Sequence, residues 1–87
     1  MQKYKLLAAT SKKTGRPAVG ASGRLVGQIV ETSYPTSIFL QRGIVIWATD
    51  GSGDGIHTSK VTDVEWDGSK RQLILHTLNT VYKLEQL

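Results

Sequence analysis

Val61-Thr62-Asp63-Val64-Glu65-Trp66-Asp67-Gly68-Ser69-Lys70-Arg71-Gln72-Leu73-Ile74-Leu75-His76-Thr77 carries an alternating strand pattern, a polar turn and a second β-rich run in succession. Residues Val61 to Trp66 alternate, which predicts a half-exposed strand with Thr62, Val64 and Trp66 on one face and Val61, Asp63 and Glu65 on the other. Asp67-Gly68-Ser69-Lys70 reads as a turn, because Asp, Gly and Ser bend the chain by local side-chain bonding and backbone freedom. Gln72 to Thr77 and Thr80 to Leu84 return to β-branched and aromatic residues, so the segment reads as a meander.

Earlier in the chain, Arg42-Gly43 resembles a two-residue hairpin connection between Ser37 to Gln41 and Ile44 to Thr49. Both of these are continuous apolar runs, which predicts strands covered on two faces. Asp50 to Gly55 is a polar loop. Arg24 to Glu31, with Leu25, Val26, Ile29 and Val30, reads as a strand bulged at Gly27. Gln2 to Ala9 reads as a first strand, and Ser11 to Gly23, rich in Ser, Lys, Thr and Gly, as a long loop of the kind that carries function. No stretch has a capped apolar period of 3.6 over three turns, so little helix is expected. The expected fold is all-β: a small antiparallel barrel or compact two-layer sheet of about six strands, built as one domain over residues 1–87.

The chain has 87 residues and no cysteine, so neither a disulfide framework nor a thiolate metal site is available. A short β domain without such staples often completes itself by self-association, which makes a homo-oligomer the expected state. No apolar run reaches signal-peptide or membrane-spanning length, so a soluble, cytoplasmic protein without a membrane partner is expected. The net charge is +4, and it is unevenly spread: Lys3, Lys5, Lys12, Lys13, Arg16 and Arg24 all precede the first acidic residue, Glu31. Such a segment suits the phosphates of a nucleotide or nucleic acid. A solvated basic surface is the plain alternative.

Four constellations bear on chemistry. Gly15-Arg16-Pro17-Ala18-Val19-Gly20-Ala21-Ser22 has the outer spacing of a phosphate loop, but Ala21 stands where a lysine must reach the phosphates. What remains is a Gly-rich anion nest beside Arg16. Asp50-Gly51-Ser52-Gly53-Asp54-Gly55 opens like a calcium loop, yet Val61 occupies the position of the bidentate glutamate, so it reads as a turn. His57-Thr58-Ser59-Lys60 gathers an imidazole, two hydroxyls and an ammonium, all donors suited to a phosphate or ribose edge, without an acid to orient a hydrolase triad. His76-Thr77-Leu78-Asn79-Thr80-Val81-Tyr82 adds Thr77, Asn79 and Tyr82 to a hydrogen-bonding surface beside His57 and Ser59, or else closes a turn. The two histidines lack a metal-ligand spacing. Trp47 and Trp66 read as core or oligomer contacts, while Tyr34 and Tyr82 are candidates for stacking on a base.

His57-Thr58-Ser59-Lys60-Val61 followed by Thr77-Leu78-Asn79-Thr80-Val81-Tyr82-Lys83-Leu84-Glu85 resembles the C-terminal half of short proteins of bacteriophages and mobile elements of Gram-positive bacteria. Their pattern is a T-S-x-V strand start and a T-x-N-[ST]-x-Y-x-L-E ending, and the resemblance spans about a third of the chain. Some small phage β-proteins are sponges for cyclic or modified nucleotide signals of bacterial immunity. The resemblance therefore implies an anti-defence, immune-evasion role in the cytoplasm of a bacterial host.

The combined expectation is a non-enzymatic binding protein, without cofactor, that sequesters a phosphorylated small ligand such as a cyclic nucleotide. Lys12, Lys13, Arg16 and Arg24 would meet phosphate; His57, Thr58, Ser59, Thr77 and Asn79 would bond ribose or base edges; Tyr82 would stack. The alternatives are a small barrel that binds nucleic acid and an inhibitor of another protein that uses Ile44 to Trp47 as an edge.

Overall fold

A computed structural model of the chain describes residues 3–32 and 43–87. The expected strand Ser37 to Gln41, Tyr34 and Arg42 lie outside the described residues. Seven strands and one short helix follow in chain order: β1 (Lys3–Ser11), α1 (Ala21–Leu25), β2 (Ile29–Thr32), β3 (Val45–Ala48), β4 (Gly55–His57), β5 (Val61–Asp67), β6 (Gln72–Thr77) and β7 (Thr80–Gln86). The strands form one antiparallel sheet ordered β4-β3-β2-β1-β7-β6-β5. The all-β expectation holds. The sheet is not, however, closed into a barrel. Among the described residues, no helix is long and apolar enough to cross a membrane.

The register explains the core. Cross-strand rows Tyr4–Val30–Ala48, Leu6–Leu84–Leu73 and Ala9–Tyr82–Leu75 lie on one face, and all of these side chains are buried. Burying each large aliphatic member is worth roughly 1.5–3 kcal/mol. Two register shifts set which residues point inward. The first lies between Leu6 and Ala8 in β1, so the buried positions change from even (Tyr4, Leu6) to odd (Ala9). The second, between Val61 and Asp63, places Val61 on the same face as Val64 and Trp66, whereas uninterrupted alternation puts them on opposite faces. Neither tryptophan is a core residue: Trp47 is half-buried and Trp66 is 52% exposed.

The expected strand from Arg24 to Glu31 is corrected. Its first residues, Arg24 and Leu25, close α1; Gly27 is a turn residue at φ 90°, with its N–H donating to Leu6 O at 2.7 Å, and the strand begins only at Ile29. Leu25 decides this, because it is fully buried against the sheet while its neighbour Val26 is exposed. Gly23 is also required by packing. A Cβ there would lie 2.5 Å from Ala18 O.

Strand directions show how the sheet curls. Counted through antiparallel neighbours on either side, β4 and β5 both run opposite to β1, so they run the same way, with Thr58 to Lys60 between them. Gly55 to Asp67 is thus one path that leaves β3 and takes up β6 at a corner. Thr58 makes the corner possible. Its N–H donates to Ile44 O at 2.9 Å, and its Oγ1 accepts from Ile44 N–H at 2.9 Å while donating to Ser59 O at 2.8 Å. Thr58→Val is expected to leave the buried Ile44 N–H without an acceptor and to cost about 1–3 kcal/mol in urea unfolding, with Thr58→Ser retaining most of the stability.

The turn after β5 forms as its sequence implies. Asp67 Oδ1 accepts from Ser69 Oγ at 2.7 Å, Ser69 N–H at 3.1 Å and Lys70 N–H at 3.4 Å. The Ser69 hydroxyl, ahead of the backbone donors, holds the Asp67 carboxyl below its ordinary value. A depressed carboxyl contributes stability above the ordinary carboxylate range and loses it as pH falls through the depressed value. An NMR titration is expected to place the Asp67 midpoint below that of an exposed aspartate, and Ser69→Ala to raise it.

Candidate functional site

The segment after β1 is a hairpin-like tongue. Gly15 N–H donates to Ser11 O at 2.8 Å, Ser11 N–H to Arg16 O at 2.9 Å, and Ala18 N–H to Ala9 O at 2.8 Å, while Thr10 and Pro17 form a bridge. Gly15 allows the reversal with φ 70°. Lys12, Lys13 and Arg16 are exposed on this tongue. The Gly-rich nest expected beside Arg16 is not formed by these amides, because Gly15 N–H is taken by Ser11 O and Arg16 N–H by Thr14 Oγ1 at 3.2 Å. Side-chain charge, rather than backbone dipoles, is what the tongue presents.

Three segments distant in sequence meet beside it. Lys12 N–H donates to Asn79 O at 2.9 Å, Asn79 N–H to Ser59 Oγ at 3.3 Å, and Leu78 N–H to Lys60 O at 3.1 Å. The tongue, the β6–β7 turn and the β4–β5 corner are thereby tied together. Lys60 is exposed there, as is Asn79. All seven acidic residues (Glu31, Asp50, Asp54, Asp63, Glu65, Asp67 and Glu85) lie outside these segments. Among the described residues, none of Lys12, Lys13, Arg16 and Lys60 forms an ion pair. The lysines at the start of β1 are placed differently: Lys3 is in register with Glu31 and Lys5 with Glu85. Four exposed cations without an ion pair among the described residues thus stand on the tongue and the corner tied to it.

No protein family, curated protein or solved structure matches the chain.

Of the residues singled out in the sequence, Lys12, Lys13, Arg16, Ser59 and Asn79 are brought together here. Thr58, Thr77 and Tyr82 are internal. Thr77 is fully buried, its Oγ1 donating to Thr80 O at 2.8 Å and accepting from Thr80 N–H at 3.0 Å, so it closes the β6–β7 turn. The Tyr82 ring is buried and its hydroxyl shares a 3.1 Å hydrogen bond with Ser22 Oγ, which ties α1 to β7. His57 faces outward on β4 opposite Val45, and Arg24 is exposed on α1; no described contact joins either to the corner. Lys60, grouped in the sequence with His57, Thr58 and Ser59 as a donor but not among the cations expected to meet phosphate, joins Lys12, Lys13 and Arg16 here. The polar loop before β4 folds on itself, Asp50 Oδ1 accepting from Ser52 N–H at 2.9 Å and Ser52 Oγ from Asp54 N–H at 3.2 Å.

Proposed function

We propose that this chain is a non-enzymatic, phage-type binding protein that holds the phosphate groups of a nucleotide-like small ligand at the cationic corner, sequestering an immune signal of the bacterial host. One observation carries the reading: Lys12, Lys13 and Arg16 on the tongue and Lys60 on the β4–β5 corner, none of which forms an ion pair among the described residues, stand on two segments tied to each other by hydrogen bonds through the β6–β7 turn. Because the scaffold is set before binding, the cost of gathering like charges is met by folding rather than by the ligand. Exposed ammonium and guanidinium groups then supply charge-assisted bonds to phosphate oxygens, with Arg16 able to bind in bidentate fashion. The Ser59 hydroxyl and the Asn79 amide sit between them as neutral donors to a ribose or base edge. Assembly of several copies belongs to the same reading, with the half-buried Val45 and Trp47 and the adjoining Ile29 on the outer face as the surface for it.

Isothermal calorimetry with cyclic di- and trinucleotides and ADP-ribose derivatives tests the proposal. Binding of at least one tighter than about 100 μM is expected, and none across the panel overturns it.

A second reading, nucleic-acid binding, is favoured by one feature: the four cations lie on the open surface, where they reach the backbone of a long polymer as readily as a compact ligand. Filter binding at two salt concentrations separates the readings, since release of counterions from a polymer gives a steep salt slope.

A further inference from the structure

The two margins of the sheet are unequal. β4 has 3 residues, while β5 has 7 and pairs, among the described residues, only with β6. The faces of β5 are sharply divided. Asp63, Glu65 and Asp67 stand at alternate positions on the outer face, opposite His76, Ile74 and Gln72, and Glu65 is hydrogen-bonded to His76. Val64 and Trp66 stand on the inner face, opposite the buried Leu75 and Leu73. The apolar row Leu6–Leu84–Leu73 ends at Trp66, whose side chain is left 52% exposed at the margin.

The backbone of this margin is addressable. Val64 N–H does not enter the ladder with β6: it donates to Asp63 Oδ1 at 2.9 Å. Backbone groups in an antiparallel pair alternate in direction, so Val64 and Trp66 turn theirs away from β6, toward the open side. Natural edges are commonly guarded by inserted charge, and here the guard is the carboxylate of Asp63.

We propose that β5 receives an extended segment of a protein partner that carries lysine or arginine at alternate positions and apolar residues between them, added as a further antiparallel strand. The cations of the incoming strand meet Asp63, Glu65 and Asp67 on the outer face. Its apolar residues cover Val64 and Trp66 on the inner face. A cation beside Asp63 draws the carboxylate away from Val64 N–H, which then donates to a carbonyl of the partner, so the guard opens for a basic strand and stays shut to a neutral one. A second copy of the chain is the wrong occupant for this edge. Two-fold pairing of β5 with itself about Val64 sets Asp63 against Glu65, and like charges directly opposed destabilise a ladder. Backbone bonds supply affinity in such strand addition, and the alternating side chains supply selectivity.

The test is an NMR titration of the labelled chain with a short peptide of alternating lysine and valine, the same peptide N-methylated at alternate backbone amides, and a glutamate–valine peptide. The lysine peptide is expected to shift the Val64 and Trp66 amides and the Trp66 indole, to bind at least about tenfold more tightly than its N-methylated form, and to lose about tenfold on Asp63→Lys. Equal binding of the N-methylated peptide, or shifts confined to residues away from β5, overturns the proposal, as do Val64 and Trp66 shifts that appear on concentrating the chain alone. If Asp63→Lys does not fold, the two lysine peptides still decide the question on the unaltered chain.

Discussion

Replacing Leu25 with alanine is expected to remove about 2–5 kcal/mol of stability, the range for emptying a fully buried leucine site. Leu25 has 0% exposure and belongs to a helix of only 5 residues whose N-cap, Gly20, offers no side-chain bond. So short a helix has no stability of its own in water and exists because its one large apolar residue is buried. The alanine variant loses the contact and also leaves a cavity that α1 can close only by moving toward β1 and β4, its neighbours. For a domain of this size the loss corresponds to a fall in Tm of roughly 10–30 °C. Urea unfolding is expected to show a lower midpoint with an unchanged slope, which assigns the effect to the folded state. Val26→Ala, at the adjacent exposed position, is the control and is expected to stay within about 0.5 kcal/mol of the unaltered chain. Equal effects at the two positions would contradict the packing account.

Reversing Lys12, Lys13 and Arg16 together to glutamate is expected to weaken binding of the phosphorylated ligand at least about 100-fold, while the unfolding midpoint stays nearly constant. Each exposed cation offers roughly 1 kcal/mol to a phosphate at the surface, so three removed contacts amount to about 3 kcal/mol, before the repulsion of the new carboxylates is counted. Stability is little affected, because these side chains are exposed and make no ion pair among the described residues. Lys60→Glu alone is expected to give a smaller loss in the same direction, since it reaches the corner from another segment. If calorimetry finds the ligand bound equally well by the triple variant and by the unaltered chain, the cationic corner is not its site.

Local chemistry made part of this molecule legible in advance. The alternation from Val61 to Trp66 and the turn chemistry of Asp67 to Lys70 are properties of neighbouring residues, and β5, β6 and β7 follow from them. The basic character of residues 11–16 was equally plain, because no acidic residue occurs before Glu31. Other features depend on distant contacts. The register shifts in β1 and β5 have no marker in composition, so simple alternation sets Val61 on the face opposite to the one it occupies. Helix α1 has neither the length nor the cap that identifies a helix, and Leu25 becomes decisive only once there is a core to bury it. Threonine carries no sign of whether its hydroxyl will face solvent: Thr58 and Thr77 look like surface donors in the sequence, yet both bond the backbone within the fold.

Strand periodicity, turn formation and charge are set by residues close together along the chain, so antiparallel strands with little helix and a cationic first quarter follow from local sequence. That the path from Gly55 to Asp67 exchanges neighbours at Thr58, and that Lys60 joins Lys12, Lys13 and Arg16, emerges from the folded arrangement alone. The physical reason is that a sheet in which β1 pairs with both β2 and β7 is held by contacts between the two ends of the chain. Its curl, and the side chains that meet at its corner, are properties of those pairings taken together.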